Sequence, residues 1–285
     1  MKFVKQSFEI IPQEEGINGV FKQIELAGRT CYKSQDKITE SSAKDFVEML
    51  IKNEHYAMLE HGTICLFIPW NEYYNKDTNF RYFYNKYSVH NRVKDVGVYI
   101  ITNYRVLIEN GWIDDLKYLC KPTEYHTKRI TVKLITDQGI LREFTRHRRF
   151  SFAVESTRYC NYNKNKFDNQ ITYIIPPWVD ENKILEYQTE FGYYIPENFD
   201  SATYRFIQAL KRAEYEYMYL IEKGWKPQQA RNVLPLATKC EMIMTGFVSD
   251  WEDFFRLRAD SHAHPQAQEL AYAIKEEFIK RGYIK

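Results

Sequence analysis

A long amphipathic segment is the feature that most restricts how this chain folds. From Ser201 to Lys223, apolar side chains recur every three or four residues, and Gly224 follows the segment directly. This spacing is typical of a helix that buries one face, and glycine is common just beyond a helix end. We therefore predict the longest helix of the protein over this segment.

Five shorter runs of alternating or closely spaced apolar residues predict β-strands. They are Phe3 to Ile10, Gly62 to Ile68, Ile130 to Leu134, Ile171 to Ile175 and Thr238 to Val248. We expect the second and third of these runs to be partners in one sheet.

Helical spacing also follows Ser41, covers Leu141 to Phe144, and follows Pro265 as far as Gly282. Strands and helices do not alternate regularly, so the sequence favours an α+β fold over a doubly wound nucleotide-binding fold. We expect a central antiparallel or mixed sheet with long helices. The sequence contains neither GxGxxG nor GxxxxGK[ST], so any nucleotide must be held by side chains.

The stretch of residues from about 70 to 127 has no clear period and is rich in tyrosine and asparagine. We predict one domain over residues 1–285, with an insertion or large loop at about 70–127. Basic and aromatic residues interleave there, a pattern that can stack single-stranded bases. The favoured interpretation is a surface loop or subunit contact packed by its own tyrosines.

The charge balance and the cysteines limit the function classes. Forty Lys and Arg against thirty-eight Asp and Glu leave a net charge of +2, which argues against coating of nucleic acid or membranes. The five cysteines are scattered and lack CxxC spacing, so neither a disulfide framework nor a zinc site is indicated. No signal peptide or membrane-spanning run is recognisable. We expect a soluble cytoplasmic protein with reduced thiols.

The segment Arg146-His147-Arg148 is followed after seven residues by Ser156 and then by Arg158. Guanidinium groups are suited to binding a phosphorylated ligand. In an extended segment Arg146 and Arg148 share one face and His147 lies opposite, so the tripeptide can address two ligands. Taken alone, such a segment serves equally well to pair acidic neighbours or to form an interface.

The spacing of R-H-R, the serine and Arg158 resembles the signature of the flavin-dependent thymidylate synthases. Four other segments resemble that family in the family's own order: Ala27 to Tyr32, Glu60 to Thr63, Gln229 to Pro235, and Leu257 to Ala263. The resemblance covers most of the chain outside the 70–127 segment.

This resemblance implies a reaction, methylation of dUMP at C5 to give dTMP. Methylenetetrahydrofolate would supply the carbon, and FAD reduced by NADPH would supply the hydride. It also implies an α/β domain that assembles as a homotetramer with active sites shared between subunits. Small molecules, rather than nucleic acid or membrane, are the expected partners.

The resemblance also assigns residues. The catalytic set is Arg258, Ser156 and Arg158. The dUMP set is Glu143, Arg146, Glu155, Ser156, Arg158, Arg231 and Arg258. The FAD set is His61, Thr63, Arg146, His147, Arg148 and Asp253. Arg258 would stabilise negative charge on the uracil ring, and no metal ligand is expected.

Some positions depart from the family pattern. Glu143 stands where many members have glutamine, and its carboxylate would repel a phosphate unless it pairs with Arg142 or Arg146. Phe247 and Ser249 occupy positions where asparagine and arginine are usual, and Asp253 replaces a further asparagine. We therefore expect different contacts at the adenine end of FAD.

Three alternatives stay open. Ser156 would be a covalent nucleophile if His147 or Glu155 served as its base. The segment Asp260 to His264 has ligand types and spacing that suit a metal-dependent phosphohydrolase. The Tyr-rich segment and the arginines together suit a nucleic-acid-binding module.

Overall fold

The computed structural model describes residues 1–73, 81–184 and 201–285. Its α-helices are α1 (Gly16–Tyr32), α2 (Ser42–Lys52), α3 (Trp70–Tyr73), α4 (Tyr104–Asn110), α5 (Gln138–Phe144), α6 (Ser201–Glu222), α7 (Pro227–Ala230), α8 (Val248–Arg258) and α9 (Pro265–Lys280). Its strands are β1 (Lys2–Val4), β2 (Ser7–Ile11), β3 (Thr63–Pro69), β4 (Val89–Val93), β5 (Gly97–Asn103), β6 (Arg129–Asp137), β7 (Ser151–Val154), β8 (Thr172–Ile174) and β9 (Lys239–Phe247). Its 3₁₀ helices include Tyr56–His61 and Ile113–Tyr118.

The main sheet has the order β2-β6-β9-β7, and all of its neighbours are antiparallel. A second antiparallel sheet has the order β3-β5-β4, and β1 pairs with β8 in parallel. The α+β class with antiparallel sheets is therefore confirmed. The expected pairing of the 62–68 and 130–134 runs is wrong, because β3 pairs with β5 whereas β6 pairs with β2 and β9.

The 70–127 segment contains regular structure, so its description as a loop is wrong for residues 89–118. Strand β5 lies between β3 and β4, and its residues Val98 and Ile100 are buried together with Leu107 of α4. The sequence of β5 does not alternate between apolar and polar residues, because both faces of this strand are covered. Residues 74–80 lie outside the described part of the chain. That the segment is an insertion in a single domain stays a prediction.

Helices cover both faces of the main sheet. On one face, Trp251 and Phe254 of α8 and Phe278 of α9 pack on apolar side chains of β6 and β9. On the other face, Ala27 of α1 packs on Ile243 of β9. The central strand β9 is therefore buried on both faces.

The predicted long helix is confirmed as α6. It ends before Gly224, whose φ of +89° lies in the left-handed region that favours glycine. Leu210 and Tyr217 of this helix pack against Tyr173 of β8. The last predicted helix is also confirmed, and Pro265 is its first residue.

The burial of α4 leads to a prediction about the 70–127 segment. Leu107→Ala should lower the free energy of unfolding by about 2–5 kcal/mol, because it leaves a cavity in the core of the second sheet. Val96→Ala, at a position 46% exposed, is the control and should change it by less than about 0.5 kcal/mol. Urea titration followed by circular dichroism measures both. Equal effects would mean that the segment is not part of the folded core.

Candidate active site

The ends of α5 and α8 bring together three residues of the predicted site. Helix α5 begins where Asp137 Oδ1 accepts a hydrogen bond of 2.8 Å from the Ile140 backbone N–H. Arg258, the last residue of α8, donates through Nη1 to Glu143 Oε2 at 2.6 Å and through Nη2 to the Glu143 carbonyl at 2.8 Å. Its Nε donates to His147 Nε2 at 3.0 Å. The guanidinium group is thus held on three sides.

The contact with Arg258 requires a neutral imidazole at His147, because Nε2 accepts a hydrogen bond. Burial and the positive charge of Arg258 both lower the pKa of His147, which agrees with this state. His147 is half-buried, whereas Arg146 and Arg148 on either side of it are exposed. Neither of these two arginines has a carboxylate within 4 Å among the described residues. They remain available to an anionic ligand.

Glu143 has a different partner from the two that the sequence suggested. It pairs with Arg258 rather than with Arg142 or Arg146. The reason is the turn after α5, which brings the end of that helix against the end of α8. The repulsion expected from this carboxylate is therefore offset by the arginine assigned to the uracil ring.

A cavity of about 270 Å³ lies beside this group. Its wall includes His147, Arg148 and Asp253 of the predicted FAD set, and also Arg149. Arg149 lies 3.4 Å from Asp253 and 3.6 Å from Asp250. Arg148 is left as the cation without an acidic partner among the described residues of this wall.

The phosphate residues predicted by the signature lie on the loop after β7. Ser156 donates its backbone N–H to the Cys31 carbonyl at 3.0 Å, and its Oγ accepts from the Arg158 backbone N–H at 3.3 Å. Arg231 reaches the same loop, donating to Thr157 Oγ1 at 3.3 Å. Among the described residues, no imidazole or carboxylate is hydrogen-bonded to Ser156 Oγ.

Glu155 of the predicted dUMP set directly precedes Ser156 and lies inside the protein. Its side chain is buried and accepts from Lys239 Nζ at 2.9 Å. Lys239 also donates to Glu241 at 2.7 Å, and Glu241 contacts Lys33 and lies 3.5 Å from Lys133. This buried ion cluster fixes the end of β7 just before Ser156. The sequence signal for it was the pair Lys239 and Glu241, which share one face of a strand that is otherwise apolar.

A basic cleft of about 520 Å³ adjoins the Ser156 loop. The rings of Tyr32 and Tyr159 lie 5.5 Å apart and link the two. Lys37, Lys164 and Lys166 line the cleft without a carboxylate within 4 Å in the described parts of the chain. Sequence reasoning did not find these lysines, because they are distant along the chain and follow no motif.

His61 and Thr63 lie on the face of the main sheet opposite to α8, near Thr245 of β9, which pairs with Ser151 of β7. His61 is fully buried, its Nδ1 is 2.8 Å from Thr245 Oγ1, and its Nε2 has no partner among the described residues. Burial and the nearby Arg129 lower the pKa of His61 to about 3. Thr63 Oγ1 accepts from Arg129 at 3.1 Å. Within one chain the predicted FAD set is therefore divided between two places.

Side chains of the segment 260–264 accept hydrogen bonds from nearby backbone N–H groups. Asp260 accepts hydrogen bonds from the His262 backbone N–H at 2.9 Å and the His262 ring at 2.8 Å, and His264 precedes the first turn of α9. Across residues 1–73, 81–184 and 201–285, no three His, Cys, Asp or Glu side chains are arranged to hold a metal ion. None of the helices described has the length and apolarity needed to cross a membrane.

Cationic side chains thus lie near the strand ends of the main sheet in this α+β fold, an arrangement that suits anionic ligands. The family model described as "Thymidylate synthase complementing protein" matches residues 110–281, more than half of the chain. The chain therefore belongs to this family.

Several relatives are flavin-dependent thymidylate synthases by name. One from Mycobacterium sp. (strain JLS) is 22% identical over 279 residues, which cover 94% of this chain and 80% of the relative. A probable one from Paramecium bursaria Chlorella virus 1 is 28% identical over 158 residues, covering 55% of this chain and 68% of the relative. One from Synechocystis sp. (strain ATCC 27184 / PCC 6803 / Kazusa) is 26% identical over 157 residues, covering 53% and 66%.

The buried ion cluster predicts an acid-sensitive stability. Burial alone would raise the pKa of Glu241, but Lys239 and Lys33 outweigh it and lower that pKa to about 2 from the usual 4.5. A lowered carboxyl pKa stabilises the fold above pH 4.5, and this contribution is lost as the pH falls towards 2. We expect Glu241→Gln to lose less stability than the wild type across this interval, as measured by urea unfolding at each pH.

The control for this experiment is Glu15→Gln, because Glu15 forms an exposed pair with Lys121. An exposed pair contributes at most about 1 kcal/mol, so this variant should follow the wild-type pH profile closely. If Glu241→Gln also follows the wild-type profile, Glu241 does not carry the pH dependence.

Proposed function

We propose that this chain is a flavin-dependent thymidylate synthase that methylates dUMP to dTMP. Methylenetetrahydrofolate is the carbon donor, and the protein acts as a soluble cytoplasmic enzyme. The observation that carries the proposal is the three-sided hold on Arg258 by Glu143 and His147. It joins the R-H-R segment to the LRADSHA segment, which are more than a hundred residues apart in sequence, at one point in space.

Arg258 is proposed to face the uracil ring. Uracil C5 becomes nucleophilic as negative charge builds on the carbonyl and N3 system of the ring, and a preoriented guanidinium stabilises that charge. Of its five N–H groups, three are used by Glu143 and His147, so two remain for the ring. The neutral state of His147 keeps this arrangement intact.

Ser156, Arg158 and Arg231 are proposed to bind the phosphate of dUMP. Ser156 and Arg158 lie on one loop that Arg231 also contacts, and neither arginine has a carboxylate within 4 Å among the residues described. The adjoining basic cleft adds lysines, so the loop lies in a region of positive potential that attracts a dianion. Glu155 is proposed to position this loop through Lys239 rather than to touch the nucleotide.

Several side chains carry groups that suit the binding of FAD. The free guanidinium groups of Arg146 and Arg148 suit its phosphates, and the unpartnered Nε2 of His61 is a polar atom that a flavin atom would satisfy. These residues, with Thr63, His147 and Asp253, are proposed to hold it. When bound and reduced by NADPH, FAD supplies the hydride that converts methylene to methyl.

A homotetramer with shared sites is the proposed assembly. The dUMP and FAD sets are divided within one chain among the Arg258 group, the Ser156 loop and the His61 position. The cavity of about 270 Å³ beside His147 lies below the range of common ligand sites and is too small for a whole dinucleotide. Complete sites would form where these parts of different subunits meet.

The proposal predicts tritium release from 5-tritiated dUMP only when methylenetetrahydrofolate is present. Arg258→Ala should reduce that release by at least about a hundredfold, because a donor to the developing charge is removed. The yellow flavin absorbance should remain. Arg281→Ala, which removes an exposed pair with Glu277, is the matched control and should keep full activity. Wild-type protein that binds FAD without releasing tritium would contradict the function.

Glu143 offers a second prediction. In Glu143→Gln the hydrogen bonds to Arg258 persist, but the negative charge that competes with the nucleotide is removed. The KM for dUMP should fall about threefold or more, with kcat nearly unchanged. Tritium release as a function of dUMP concentration measures both constants. A rise in KM would show that the Glu143 carboxylate assists binding.

A further inference from the structure

A further cavity of about 470 Å³ lies outside the groups described above. It lies where β3, β5 and the connection 119–128 meet the start of α1 and the ends of β2 and β6. Its apolar wall includes Ile10, Val20, Ile101, Leu119 and Tyr283. A cavity of this size and lining is typical of a site for a small organic ligand. Much of its wall comes from the 70–127 segment.

Arg129, the first residue of β6, supplies the main charge in this wall. Its Nη1 donates to Thr63 Oγ1 and its Nη2 to Ser151 Oγ, both at 3.1 Å. No carboxylate lies within 4 Å of it in the described residues, and burial lowers its pKa to about 10, although the more distant charges of Glu60 and Asp250 act in the opposite direction. A partly buried guanidinium whose hydrogen-bond partners are hydroxyls is costly, and an anion in the cavity would offset part of that cost.

The other charged groups of the wall lie at its exposed rim. Glu14 pairs with Lys22 at 2.7 Å, and Glu15 pairs with Lys121 at 2.6 Å. Glu124 is exposed, and Lys128 lies 5.2 Å from the centre of the Tyr283 ring. His126, also in the wall, has its pKa lowered by burial and contacts the Leu66 carbonyl at 3.2 Å. The three carboxylates of the wall therefore lie at its rim, whereas Arg129 is part-buried and has no ion pair among the described residues.

We propose that this cavity binds a small molecule with one carboxylate or phosphate on an apolar, aromatic body, and that Arg129 is its anchor. Of the residues proposed for dUMP and FAD, Thr63 is in the wall, whereas Arg258, Ser156 and His147 are not. The site therefore shares Thr63 with the proposed FAD residues but contains none of the proposed catalytic groups. It also gives the 70–127 segment a function, because Ile101 and residues of the connection 119–127 form part of the wall.

The test uses FAD-loaded protein saturated with dUMP and three probes of one shape. Calorimetric titration with 2-naphthoate, 2-naphthyl phosphate and neutral 2-naphthamide compares anion types on the same ring. At least one anion should bind at one site per chain, about tenfold or more tighter than the amide. The stronger anion identifies the natural group as carboxylate or phosphate. Equal affinity of all three, or no saturable binding, would overturn the proposal.

Variants locate the site. Arg129→Met keeps an unbranched side chain without the charge and should remove the preference for the anion, whereas Arg129→Lys should restore part of it. Ile101→Trp fills the cavity and should abolish binding of all three probes. Lys121→Met, at the exposed rim, is the control and should leave affinity within about twofold. Anion preference that survives in Arg129→Met, or probe binding that FAD displaces, would overturn a separate site anchored by Arg129.

Discussion

Strand β9 is hydrogen-bonded along both edges, to β6 over its whole length and to β7 at its carboxyl-terminal half. A backbone paired on both sides and covered on both faces has no freedom to shift register, since a slip of one residue would exchange its buried and polar side chains. Lys239 at one end and Thr245 near the other are therefore fixed relative to β6 and β7. The Ser156 loop and the Arg258 helix both depend on this frame.

The frame explains why charged residues lie inside it. Lys239, Glu155 and Glu241 form a cluster in which each charge has a partner of opposite sign, as burial requires. The cluster ties the end of β7 to β9 immediately before the loop that carries Ser156. This ion cluster is costly to desolvate, but it helps to hold the Ser156 loop in one position.

The sequence correctly predicted those elements that have one apolar and one polar face. Helix α6 follows from its apolar stripe, and β9 from Cys240, Met242 and Met244 alternating with charged residues. Prediction from the sequence failed for β5, because both faces of this strand are covered. It also failed for the partner of β3, because strand pairing depends on contacts between residues that are distant in the sequence. The motifs identified Arg258, His147 and Ser156 as candidate site residues. They did not reveal Lys239 or Arg129, whose importance comes from what surrounds them after folding.

The hold of Glu143 and His147 on Arg258 has a thermodynamic consequence for ligand binding. A free arginine side chain loses about 2 kcal/mol of rotamer entropy when it is immobilised. Arg258 is already immobilised by folding, because three hydrogen bonds fix its guanidinium group. The entropy is lost when the chain folds, so the proposed contact of Arg258 with the uracil ring would begin from an ordered donor. Folding stability and affinity are linked at this one side chain.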